Sequence, residues 1–95
     1  MFARITKYKM KPGTRDDAVK VLEGLKSQIL GLPGTLQFIN AANEDGLGYV
    51  VSVNQSREQS EQNAEAVTKI WANFADFMEA MPQPEGFDIV ANWKN

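Results

Sequence analysis

Residues 11–38, KPGTRDDAVKVLEGLKSQILGLPGTLQF, decide the fold of this chain. Two Pro-Gly pairs, Pro12-Gly13 and Pro33-Gly34, bracket one helical segment. Proline locks φ and removes a backbone donor, and glycine reaches positive φ cheaply, so each pair ends one element and turns the chain into the next. Between them Ala18, Leu22, Leu25 and Ile29 recur at helical spacing, with Val21 beside them, and form one buried stripe. Thr14 is the expected N-cap, with Asp17 three residues on, and Gly31 is the expected C-cap. A strand-like run precedes the first pair, Phe2 to Met10, and another follows the second, Thr35 to Ala42. The stretch therefore reads strand, helix, strand.

The remainder repeats that order. Asn43-Glu44-Asp45-Gly46 reads as a tight turn into a third strand, Leu47 to Asn54, which should pair antiparallel with the second. Ser56, with Gln59 three residues later, marks the start of a second helix. Its first turns, Arg57 to Asn63, are wholly polar and are expected to project from the core. Its later part carries Val67, Ile70, Trp71, Phe74, Phe77, Met78 and Met81 at three- and four-residue spacing, and Pro82 and Pro84 end it. A fourth strand is expected from Phe87 to Trp93.

The order β-α-β-β-α-β predicts an α+β fold, a ferredoxin-like sandwich: a four-stranded antiparallel sheet with two helices on one face. The most apolar strand sets, Tyr49/Val51/Val53 and Phe87/Ile89/Ala91/Trp93, are expected to face the helices. The other face then mixes Ile5, Ile39, Val50 and Val90 with polar residues, and a second copy packed sheet to sheet would cover it.

Composition narrows the chemistry. Ninety-five residues, 43% hydrophobic and 23% charged, predict one globular domain over residues 1–95. The formal charge is −2 and the basic residues form no stripe, which speaks against nucleic-acid binding. No apolar run at the start is long enough for a signal peptide and none could span a bilayer, so a soluble cytoplasmic protein without a membrane partner is expected. With no Cys and no His, there is no disulfide, thiol nucleophile, His base or His-ligated haem.

In its "YKMKPGTRDDAVKVL" opening, "GLPGTLQF" link, "NEDGLGYVVSV" hairpin and "AVTKIWANFADFM" helix, the chain resembles the dimeric α+β barrel proteins, and among them the antibiotic biosynthesis monooxygenase-like domains. The resemblance spans nearly the whole chain. It implies a homodimer whose two sheets form a shared barrel, with a pocket in each subunit between helices and sheet. Some relatives oxidise polycyclic quinol-type substrates with dioxygen and no metal or organic cofactor, and that activity, without a cofactor, is the one implied here. Others degrade haem. That branch shares the helix-two tryptophan, here Trp71, but needs a His about ten residues beyond it, where this chain has Met78-Glu79-Ala80-Met81. A non-catalytic, ligand-sequestering or stress-associated barrel is the alternative, and a purely structural dimer with a filled core is the third.

Cofactor-free oxygenation asks for an apolar pocket that binds an aromatic ring, favours its anion and excludes water. Trp71, Phe74, Phe38 and Tyr49 are the expected walls for a small aromatic ligand; Asn40 and Thr6, with Tyr8 and Ser52, are the hydrogen-bonding candidates. Each has a plainer reading: Trp71 as a large core residue, Asn40 as a strand-end or dimer contact, Tyr8 and Tyr49 as packing residues with a wet hydroxyl. Arg4 reads as an anion binder, or more plainly as the partner of a carboxylate or a side chain that reaches solvent. The family oxygenases place an Asn or Tyr near the helix-two tryptophan, whereas Val67 and Phe77 hold the nearest inward helix positions here.

Overall fold

A computed structural model describes residues 1–95. The chain order is β1 (Phe2–Lys9), α1 (Arg15–Gly24), α2 (Lys26–Leu30), β2 (Thr35–Ala42), β3 (Leu47–Asn54), α3 (Arg57–Gln62), α4 (Ala64–Ala72), a single 3-10 turn (Ala75–Phe77) and β4 (Glu85–Asp88). The strands form one sheet in the order β2-β3-β1-β4, antiparallel throughout. This is the expected ferredoxin-like α+β sandwich. No helix is long and apolar enough to cross a membrane.

Both Pro-Gly pairs form the turns their residues demand. Gly13 has φ 77° and Gly34 φ 80°, and each turn closes from residue i+3 to the carbonyl of residue i: Thr14 N–H donates to Lys11 and Thr35 N–H to Leu32. Proline followed by a positive-φ glycine is the signature of a type II turn. Thr14 holds the expected N-cap position of α1, but its side chain is used otherwise. Thr14 Oγ1 donates to the Lys11 carbonyl (2.8 Å), reinforcing the turn, and makes no cap bond to the helix.

Each expected helix is broken once. Leu25, at φ −99° and ψ 0°, separates α1 from α2 directly after Gly24, the weakest helix former in the segment. Ala18 and Ile29 are still buried, with Val21, Leu22 and Leu25 packed beside them. Asn63 separates α3 from α4, and its side chain donates to the Pro33 carbonyl (2.8 Å), tying the second helical half to the second Pro-Gly turn. The polar segment therefore does not project. Ser56 Oγ caps it by accepting from Gln59 N–H, Ser60 and Asn63 are buried, and the Arg57 guanidinium lies 5.4 Å from the Phe2 ring centre. At the other end, α4 stops at Ala72, where Asn73 Nδ2 donates to the Lys69 and Ile70 carbonyls. Met78 is buried and bridges to Met10, while Met81 lies exposed beyond the stripe.

β1 and β2 face as expected, with Ile5 and Ile39 outward, but β3 and β4 are reversed. Tyr8, Met10 and Val50 pack against Ala18, Ile29, Ile70 and Phe74 of the helical layer. Alternation then places Arg4, Thr6 and Ser52 on that inner face and Ala3, Ile5, Tyr49, Val51 and Val53 on the outer one. The inner polar residues line a cavity and are not packed into a dry core, so apolar content did not decide the facing. The outer face is apolar: Ile39, Val51 and Ile5 stand in register across β2, β3 and β1, and Phe87 lies opposite Ala3. Ile39, Tyr49 and Phe87 are each 46% exposed.

The last strand is shorter and earlier than Phe87 to Trp93. Asp88 already stands opposite Phe2, so the antiparallel ladder with β1 has run its length; Ile89 N–H adds one bond to Met1 O, and the chain beyond pairs with nothing. Val90 and Trp93, expected respectively on the outer and inner faces, are 96% and 92% exposed. On its β4 side, β1 has two separate neighbours. β4 covers Phe2–Ile5, and Phe77 and Glu79 pair with Lys11 and Lys9, with Pro82 and Pro84 in the link between.

Candidate functional site

A cavity of about 290 Å³ lies between α1, α2 and α4 on one side and the inner face of β1, β2 and β3 on the other. It is mostly apolar. Trp71, Phe74 and Phe38 line it, as do Thr6 and Asn40; five of the six residues singled out from the sequence thus share one space. Tyr49 does not. It stands opposite Lys7 on the outer face, on the wrong side of the sheet for any part in this cavity.

The polar centre is Tyr8, which the sequence offers both as a hydrogen-bonding candidate and as a packing residue with a wet hydroxyl. Its ring is buried and its hydroxyl donates to Asn40 Oδ1 at 2.5 Å. The register explains the reach. Tyr8 stands opposite Gly48 on β3, and Gly48 stands opposite Ala42 on β2. The ring lies across Gly48, where a Cβ would fall 2.4 Å from the Tyr8 Cζ and hydroxyl oxygen. Only a residue without a side chain lets the tyrosine lie down and cross the two interstrand gaps, about 10 Å, to Asn40. The available signal was Gly48 within an otherwise β-forming run, since an isolated glycine in a strand marks the close approach of another group.

Trp71 joins this pair from α4. Its ring centre lies 5.8 Å from that of Tyr8, tilted by 54°, and 6.0 Å from that of Phe74, edge to face at 63°. Both geometries are favourable aromatic contacts. The hydrogen-bonding groups near Trp71 thus come from β1 and β2, not from α4, where Val67 stands, or from the 3-10 turn, which holds Phe77. Burial pushes the Tyr8 phenol above its ordinary value, against the opposing pull of the Asn40 hydrogen bond and the Arg15 charge. At neutral pH it is a hydroxyl donor.

Two arginines also line the cavity, Arg4 and Arg15, and no Asp or Glu does. Arg4 is 9% exposed; its Nη1 donates to the Ser60 carbonyl (3.2 Å) and Oγ (3.1 Å). Burial lowers its basicity from the ordinary arginine value. Nowhere in the molecule do three Asp or Glu side chains gather in a way that would hold a metal ion. The chemistry available to the lining is thus aromatic stacking, hydroxyl and amide hydrogen bonding, and attraction of negative charge.

No family model matches the sequence, and no curated protein does. Solved structures do match, at low identity. A protein of unknown function from Nitrosomonas europaea superposes with a TM-score of 0.80 at 14% identity, covering 99% of this chain and 93% of its own. A candidate antibiotic biosynthesis monooxygenase from Chloroflexus aurantiacus gives 0.72 at 20%, covering 98% and 96%. A conserved protein from Methanosarcina mazei gives 0.75 at 9%, covering 90% and 89%. Over nearly its whole length, the chain has the fold of the antibiotic biosynthesis monooxygenase-like proteins.

Proposed function

We propose that the cavity binds a small aromatic molecule of quinol or anthrone type and that the chain is a cofactor-independent monooxygenase. The observation that carries this reading is the Trp71–Tyr8–Asn40 arrangement at an otherwise apolar wall. Trp71 and Phe74 supply faces for a ring, and the neutral Tyr8 oxygen, its proton engaged by Asn40 Oδ1, accepts from a phenolic hydroxyl on it. Several proteins of the same fold carry monooxygenase names.

The lining constrains how such a reaction proceeds. It holds no His, Asp, Glu or Cys, and Tyr8 is held protonated, so no side chain in the cavity is a ready base at neutral pH. Deprotonation falls to the substrate's own acidity, assisted by Arg4 and Arg15, whose charges favour the anion. The electron-rich anion then reacts with dioxygen directly. For an anthrone, the methylene becomes a carbonyl that takes one oxygen atom, the other leaves as water, and the substrate supplies all four electrons. Oxygen uptake over a panel of quinols and anthrones tests this. Uptake above blank, abolished in Trp71→Ala, is expected; no uptake with any member of the panel refutes it.

The missing base favours one second reading, that the cavity sequesters its ligand without turnover. In either case we propose a homodimer formed through the outer sheet face, supported by the exposure of Ile39, Tyr49 and Phe87 in one apolar surface.

A further inference from the structure

One buried charge at the cavity has no counterion. Arg4 is almost wholly buried, yet its only side-chain bonds to the protein, both from Nη1, go to Ser60. The one ion pair in the structure joins Lys69 to Glu65 on the surface, so no carboxylate lies within pairing distance of Arg4. Removing a guanidinium from water without an anion to meet it is unfavourable, and buried cations are ordinarily paired. Guanidinium also offers a planar fork of five donors, two of which at most are engaged through Nη1. None of its nitrogens is among the fully enclosed polar atoms that lack a partner, so its remaining donors are not sealed into packed protein, and Arg4 itself lines the cavity. The lining holds a second arginine and no acid, although the chain as a whole is negative.

Position adds the shape of the ligand. Arg4 and Tyr8 project from the same face of β1, four residues apart, which is about 13 Å along a strand. Trp71 sits at the Tyr8 end. A molecule that meets both ends carries its negative group at one extremity and a flat apolar body of two or three fused rings toward the other. We propose that Arg4, with the Thr6 and Ser52 hydroxyls beside it on the same face, forms a subsite for the carboxylate of an aromatic acid. This rests on the reading of the cavity as an aromatic-ligand site and names the substrate class within it. The proposal concerns binding and is independent of turnover.

The test compares two probes of matched shape, naphthoate and naphthylmethanol, by isothermal titration calorimetry with the full chain. A charge-assisted hydrogen bond to a desolvated guanidinium predicts that the wild type binds the carboxylate about ten to a hundred times more tightly than the alcohol. Arg4→Met is expected to reduce that ratio to about one while leaving the alcohol's affinity unchanged. Arg4→Gln, which removes the charge but keeps a donor for Ser60, serves equally if the methionine variant fails to fold. Lys7→Met, which removes a positive charge from the outer sheet face, keeps the preference. Equal affinities in the wild type overturn the subsite but leave the aromatic cavity standing, as does a preference that survives removal of Arg4. Binding of neither probe overturns both. A lack of oxygen uptake alongside a retained carboxylate preference refutes the oxygenase and leaves the subsite intact.

Discussion

Replacing Gly48 by alanine should disable the polar centre without touching any of its functional groups. The added Cβ would lie 2.4 Å from Tyr8 Cζ and Oη and 2.8 Å from the Ala41 carbonyl oxygen. Ordinary carbon contacts need about 3.5 Å or more, so the ring must lift by roughly 1 Å. The Ala41 oxygen is backbone in the neighbouring strand and yields little. Lifting the ring breaks the 2.5 Å bond to Asn40 and drives it toward Trp71, 5.8 Å away between centres. Overpacking costs about 1–3 kcal/mol and the lost hydrogen bond about 1 kcal/mol, a total near 2–4 kcal/mol. For a chain of this length each kcal/mol lowers Tm by about 4–8 °C, so Gly48→Ala should melt at least about 8 °C below wild type by circular dichroism. Pairing the change with Tyr8→Ala isolates the ring's share: with the ring gone, the cost should fall to that of the remaining contact with the Ala41 oxygen. The reasoning is refuted if Gly48→Ala melts within about 2 °C of wild type, or if its cost persists in full when Tyr8 is absent.

Two further outcomes are expected. Tyr8 is held protonated in the fold, with its folded value above its ordinary 10.0, so its contribution is fully present below pH 10 and is lost as pH rises through the higher folded value. Tyr8→Phe should remove that alkaline loss from a pH series of denaturant melts, and an unchanged profile would disprove the assignment. The outer sheet face predicts self-association: light scattering at micromolar concentration should give a species of twice 10.6 kDa, with Val51→Lys shifting it to monomer, and a wild type found only at 10.6 kDa would disprove it.

The element order and the placement of both turns could be read from the sequence because they depend on local chemistry, above all on Pro12-Gly13 and Pro33-Gly34. The facing of β3 and β4 could not. Tyr49, Val51 and Val53 are more apolar than Val50, Ser52 and Asn54, and hydrophobic partition alone would turn them inward. The inner set faces the helices because it surrounds a cavity with polar positions, and a pattern of apolarity cannot distinguish a cavity wall from a solvated face. The same gap explains Tyr49 and Tyr8: choosing between them required knowing which strand face the glycine at 48 opens. The break at Asn63 was hidden for another reason. It follows from a bond to the Pro33 carbonyl, 30 residues away, and helical periodicity carries no information at that distance. Trp71, Phe74, Phe38, Asn40 and Thr6 could be gathered from the sequence because helix stripe and strand order needed only to be roughly right.

The divided flank of β1 bears on how this sheet resists growth. Along that border, antiparallel alternation turns the backbone groups of every second residue outward. Ala3 and Ile5 meet β4, and Lys9 and Lys11 meet the segment around Phe77 and Glu79. Lys7 alone has no strand opposite, and it is an exposed lysine. A foreign strand seeking a template there would find a single rung guarded by a charge, beside a linker whose prolines at 82 and 84 have no hydrogen to donate. The sheet border on this side is therefore β4, only four residues long, and at the opposite border β2 begins with an irregular register between Thr35 and Gln37. A short, exposed β4 and a bulged start to β2 give a foreign strand little regular backbone to pair with, a protection that is separate from the apolar side chains of the outer face.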